Sequence, residues 1–209
     1  MEKIVVKPAN RESTLLATLD TILDHMSKWM AAAVVGGVMM WRWDSEGMWG
    51  AMGALANWGL STVLKKLIGQ PRPSPVKKSD PGMPSSHSQS LFYAFTFLTL
   101  SVSELVGTNH VTYSLGGVAI YFSSYLSWLR VTQRYHTRNQ VVVGALLGTL
   151  FCVVWLYAWT VLVSHLFRSF LWVRLVIVLG AVSFSMVLFK ITVATFYHRR
   201  KTRVTQPGK

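Results

Sequence analysis

Six apolar stretches, near residues 28–43, 47–64, 88–106, 111–129, 141–164 and 171–189, take up most of this 209-residue chain. A bilayer's hydrocarbon core of about 30 Å needs about 20 apolar residues per crossing helix. No lipid-facing irregular backbone can separate such crossings, because an unpaired polar group in hydrocarbon costs several kcal/mol. The expected fold is therefore all-α, an integral membrane six-helix bundle. A hydrophobic share of 51% and a mean hydropathy of +0.36 agree with it. The first stretch is short, and the last contains Arg174, so its start can fall later.

The length fits one domain. Residues 28–197 form the expected membrane domain, preceded by residues 1–27 and followed by a basic tail, 198–209. In the N-terminal segment Leu15, Leu19, Ile22, Leu23 and Met26 recur at helical spacing, which predicts an amphipathic helix lying at the interface or on the bundle. Glu2, Glu12, Asp20 and Asp24 argue against a transit peptide, which is poor in acids. The expectation is a mature chain or an internally targeted one. The single cysteine, Cys152, allows no intrachain disulfide.

The formal charge is +13. The basic residues gather at the ends of the apolar stretches and not on one soluble face, which disfavours nucleic acid as a partner. They suit membrane flanks and attraction to anionic lipids or substrates. If six crossings alternate, Arg42, Arg168 and Arg174 alone among the 21 Lys and Arg fall on the side opposite the N-terminus. The N-terminal side is then cytoplasmic or stromal.

Three polar clusters interrupt the apolar pattern, and alternation puts all three on that same side. The first is Lys65 with Arg72-Pro73. Lys offers a compact charge and Arg a planar fork to phosphate oxygens, though a basic membrane flank looks the same in isolation. The second, Pro84-Ser85-Ser86-His87, opens the third stretch. Helix N-termini bind anions. Ser85 can cap the helix or donate to a phosphate oxygen, and His87 titrates in the range useful for protonating a leaving alkoxide. The third cluster holds Arg130 and His136. A helix beginning near His136 would put His136, Gln140, Gly144 and Gly148 on one face. Gln140 would then fix the imidazole tautomer, and the two glycines would admit a neighbouring helix. His136 is the candidate nucleophile toward phosphorus. No cluster has metal-ligand spacing, so neither metal nor cofactor is expected. Asp80 sits among these cations, where it can orient Lys65 or Arg72 or cap a turn. Glu104 lies near the far end of the third stretch and is read as interfacial.

Taken in order, these clusters resemble the type 2 phosphatidic acid phosphatase superfamily, which also contains vanadium-dependent haloperoxidases. That pattern runs Lys, six residues, Arg-Pro; Pro-Ser-Gly-His; and Ser-Arg, five residues, His, three residues, Asp. Ser86 replaces its Gly, Leu129 its Ser and Gln140 its Asp. Ser79-Asp80-Pro81-Gly82-Met83-Pro84-Ser85-Ser86-His87 is similar to the branch holding plant plastid epsilon-type lipid phosphate phosphatases and dolichyl diphosphatases. The resemblance implies a haloperoxidase-like six-helix bundle that hydrolyses phosphate esters without a metal. It assigns phosphate binding to Lys65, Arg72, Ser85, Ser86 and Arg130, acid catalysis to His87, nucleophilic attack to His136 and an orienting role to Gln140. The implied substrate is a lipid phosphate, phosphatidate first and polyisoprenyl diphosphate as the alternative. The implied place is the plastid inner envelope, with the endoplasmic reticulum as alternative. A non-catalytic lipid-phosphate binder or transporter is the rival from another class. Oligomeric state is not legible in the sequence.

Overall fold

The computed structural model describes residue 27, residues 29–73 and residues 80–205. The expected amphipathic helix of residues 1–27 lies, but for Ser27, outside them. Among the described residues the fold is six helices with no strand: α1 (29–42), α2 (Ser45–Ile68), α3 (Ser86–Val106), α4 (His110–Thr132), α5 (Arg138–Ser169) and α6 (Leu171–Thr205). Residues Trp159–Val163 of α5 form a π-helical turn. The backbone of α6 runs unbroken through His198-Arg199-Arg200-Lys201, so the basic tail begins as a continuation of the last helix.

Local chemistry sets the helix ends. Asp44 caps α2 by accepting the Gly47 N–H at 2.7 Å, and Gly69 ends it at φ +63°, a conformation favouring glycine. Asn109 and Thr112 close a reciprocal capping box on α4, as Thr137 and Gln140 do on α5. Arg174 lies in the first turns of α6 and turns back to donate to the carbonyls of Phe167 and Arg168, both at 2.7 Å. These are carbonyls that the end of α5 leaves unpaired.

By length and composition α3, α5 and the Leu171–Lys190 part of α6 can each cross a membrane. With 24 and 23 residues, α2 and α4 are long enough, at about 36 Å and 35 Å. Their composition is more polar because they turn polar side chains inward: Asn57 and Ser61 on α2, and Thr112, Ser123, Ser127 and Arg130 on α4 are all buried. The described part of α1 reaches about 21 Å.

Helix α3 is central, packed against α2, α4 and α5, while α6 lies along α2. Leu91, Tyr93, Ala94 and Phe97 carry α3 into a core with Val35, Ala51, Leu126 and Cys152. The expected close approach at Gly144 and Gly148 is present. A Cβ at Gly144 would sit 2.6 Å from the Ser85 carbonyl oxygen, and one at Gly148 would collide with that of Gln89. Backbone cannot move aside as a side-chain tip can, so Gly148→Ala is expected to destabilise by about 1–3 kcal/mol. Gly59→Ala, which meets nothing within 4 Å, provides the control. Thermal unfolding of the two variants in detergent should show a lowered midpoint for Gly148→Ala alone.

At the end of the bundle remote from the polar clusters, Arg42 binds Asp44, Glu46 and Glu104 at 2.9, 3.1 and 2.7 Å. Glu104 is thus an ion partner that ties α3 to the α1–α2 corner. Nearby, Trp49 and Trp155 stack at 4.3 Å, and each indole N–H donates to the other's backbone carbonyl.

Candidate active site

The other end of the bundle gathers the three clusters. Lys65 rides the last turn of α2, His87 and Ser86 the first turn of α3, and Arg130 the last turn of α4. The chain reverses after α4 through Arg134 at φ +56°, and the N–H groups of Tyr135 and His136 both donate to the Arg130 carbonyl. This folds His136 back over α4 just before α5 begins. The helix starts at Arg138, capped by Thr137, two residues later than the sequence suggests, so His136 stands before it and not on its face. A cavity of about 600 Å³ is walled by Lys65, Arg72, Ser86, His87, Arg130 and His136, together with Lys66, Asp80 and Tyr135.

Gln140 sets the state of His136. Its Oε1 accepts the Thr137 N–H at 3.2 Å, and its Nε2 donates to the Pro71 carbonyl at 3.1 Å and to Gln70 Oε1 at 3.2 Å. A backbone donor on one side and a backbone acceptor on the other fix which way the amide faces. Oε1 also lies 3.1 Å from His136 Nδ1, so Nδ1 carries the proton. In the neutral ring Nε2 is then the unprotonated nitrogen, and it meets Arg72 Nη1 at 3.1 Å. Burial, with the Arg72 guanidinium next in weight, pushes the imidazole down to about 4. It is a free base at neutral pH.

A carboxylate in place of Gln140 would favour the imidazolium and raise that value. If His136 is the nucleophile, attack needs the unprotonated ring, and Gln140→Glu is expected to move the acid limb of the kcat/KM profile to higher pH. A pH–rate series on both proteins checks this.

The cations are firmly placed. Arg72 donates through Nε to the Asp80 carbonyl at 3.1 Å and through Nη1 to the Tyr135 carbonyl at 3.2 Å. Its Nη2 and the Lys65 ammonium both lie 2.8 Å from Asp80 Oδ2. Arg130 is buried, with its guanidinium 5.2 Å from the centre of the Tyr135 ring.

Of the residues expected to contact phosphate, Ser85 is not on the cavity wall. It is fully buried and faces the Ser88 N–H at a long 3.5 Å as the cap of α3. Ser86 is on the wall, with its Oγ 2.8 Å from that of Ser61 on α2. His87 Nε2 lies 3.0 Å from Ser27 Oγ. Gln140, also fully buried, stands behind the wall as an orienting residue would. Gly82 presses against it so closely that a Cβ there would come within 2.7 Å of its amide.

The family model described as the PAP2 superfamily matches residues 47–165, the stretch that builds this cavity. The chain belongs to the PAP2 superfamily. This PAP2 chain is 40% identical over 168 residues to lipid phosphate phosphatase epsilon 1, chloroplastic, of Arabidopsis thaliana, covering 80% of the chain and 60% of that protein. It is 34% identical over 122 residues to human dolichyldiphosphatase 1, covering 50% of the chain and 49% of that protein. The chain thus spans about 60% of the length of the Arabidopsis relative. A transmembrane PAP2-type phosphatidylglycerolphosphate phosphatase from Bacillus subtilis superposes with a TM-score of 0.58 at 19% identity, over 72% of this chain and 77% of that one. The PAP2 chain therefore shares the helical bundle of that membrane protein.

Sequence reasoning leaves Gln70 and Tyr135 out of the site and gives Asp80 no firm role. Gln70 holds both sides of the network, since its carbonyl accepts the Gly82 N–H at 2.7 Å while its side chain meets Gln140. The signal for Asp80 is present in the sequence, as a lone acid in a strongly cationic loop.

Proposed function

We propose that this chain is a membrane lipid phosphate phosphatase that hydrolyses phosphatidate to diacylglycerol through a phospho-histidine on His136. One observation carries the reading most: His136, its Nδ1 against Gln140 Oε1 and its Nε2 against Arg72, lines a cavity that Lys65, Arg72, Arg130 and His87 also line. Nε2 attacks phosphorus while the three cations stabilise charge on the equatorial oxygens. The bond to the lipid oxygen breaks, and His87 protonates the departing alkoxide. Water then attacks the phosphorus of the phospho-imidazole, giving its proton to His87 and releasing inorganic phosphate.

A lipid substrate is supported by a second cavity of about 320 Å³, lined mainly by Val35, Leu55, Tyr93, Phe184, Val187 and Leu188. It shares Ala31, Trp58 and Ser90 with the polar cavity, so a headgroup and its apolar tail can occupy adjoining spaces. The extent of similarity to the chloroplastic proteins favours a plastid membrane, and the distribution of basic residues favours a site facing the stroma. A polyisoprenyl diphosphate phosphatase is the second reading, favoured by the similarity to dolichyldiphosphatases.

Purified protein offered phosphatidate and dolichyl diphosphate separately decides between them. Preference for phosphatidate supports the first reading, preference for the diphosphate the second. Absence of any hydrolysis that His136→Ala abolishes would leave a non-catalytic lipid-phosphate binder.

A further inference from the structure

Resting on that reading of the site, we propose that Asp80 is a built-in counter-anion: its carboxylate occupies a phosphoryl-oxygen position between Lys65 and Arg72, gives way to the substrate phosphate, and returns as inorganic phosphate leaves. Both cations converge on one atom, since Lys65 Nζ and Arg72 Nη2 each lie 2.8 Å from Oδ2. Two donors meeting on a single anionic oxygen is the arrangement that grips a non-bridging oxygen of a phosphate. The oxygen supplied by the chain therefore marks where that ligand oxygen sits.

The anion is the movable member of the triad. The side chains of Lys65 and Arg72 are 12% and 6% exposed, whereas that of Asp80 is 44% exposed and opens onto the cavity. Holding Arg72 in place does not require the carboxylate. Its guanidinium is also fixed by the backbone carbonyls of Asp80 and Tyr135, which remain in any variant at position 80. Burial pushes the Asp80 carboxyl up, but Lys65 and Arg72 together outweigh it and bring it down to about 2, so it is an anion at neutral pH.

The kinetic consequence follows from competition. Any phosphate bound at this cation pair has first to displace a tethered carboxylate, which weakens substrate and product alike. Weaker ground-state binding raises KM without lowering kcat, and a carboxylate that re-engages the cations speeds product departure. A purely positioning role predicts the opposite, since loss of the carboxylate would disorder the cations and weaken phosphate binding.

The test compares wild type, Asp80→Asn and Asp80→Glu as purified full-length chains in detergent. The probe is inorganic phosphate, read as an inhibition constant and as the rise in unfolding temperature it produces. Asp80→Asn should lower the inhibition constant by at least about tenfold, lower KM in parallel, and enlarge the phosphate-induced thermal shift. Asp80→Glu, which keeps an anion within reach, should stay near wild type. An unchanged or raised inhibition constant in Asp80→Asn, with wild type active and stabilised by phosphate, overturns this inference alone. For a variant that has lost turnover, the thermal shift decides the question in the same way. A wild type that hydrolyses no lipid phosphate and gains no stability from phosphate removes the functional reading, and this inference with it.

Discussion

Replacing His136 with alanine is expected to lower kcat by at least about a thousandfold, because the group proposed to form the covalent intermediate is gone. The expectation rests on the ring's setting. Nδ1–H is committed to Gln140, and Nε2 is left unprotonated beside Arg72. The other imidazole on the cavity wall, His87, meets Ser27 through its Nε2 at the start of α3. The measurement is a rapid-quench experiment with substrate labelled at phosphorus. Wild type should yield acid-labile, alkali-stable labelled protein, as a phospho-imidazole is, and His136→Ala none. Label retained on the alanine variant, or turnover within tenfold of wild type, would move the nucleophile elsewhere.

Arg72→Ala carries the second largest expected effect, about 10²–10³-fold in kcat, or roughly 3–4 kcal/mol of lost transition-state stabilisation. This side chain spans the site, reaching the Asp80 carbonyl and carboxylate, the Tyr135 carbonyl and His136 Nε2 from one planar group. Lysine cannot reproduce that fork, so Arg72→Lys should recover little of the loss. Steady-state kinetics on both variants, beside thermal unfolding to confirm that they fold, reads the effect directly. A kcat for Arg72→Ala within threefold of wild type would contradict the assignment.

The fold is legible in the sequence because hydrocarbon imposes length. All six apolar stretches appear as helices, and the three polar clusters between them meet at one cavity, as alternation requires. Two features escape for physical reasons. Helices α2 and α4 read as less apolar because polar groups such as Asn57 and Arg130 face inward, and composition does not record direction. Gln89 on α3 satisfies Asn57 by donating to its side-chain oxygen at 2.9 Å. The start of α5 is displaced from its expected position because Thr137 takes the N-cap through its capping box with Gln140, which leaves His136 outside the helix. The candidate site residues stand out by type and order. The network behind them does not, because Gln70, Gly82 and Tyr135 act largely through backbone groups, which a sequence shows only as neighbours. Ser85 shows the same ambiguity in reverse, since a serine before a helix suits a ligand or a cap equally, and here it caps.

Gln140 answers to two masters. The oxygen that receives the N–H of Thr137 at the helix start is the same one that dictates where the imidazole keeps its hydrogen. The tautomer of His136 is therefore inherited from folding, not chosen when a ligand arrives. Anything that frays the opening turn of α5 would also unseat the proposed nucleophile, joining structural order to the chemistry proposed for His136.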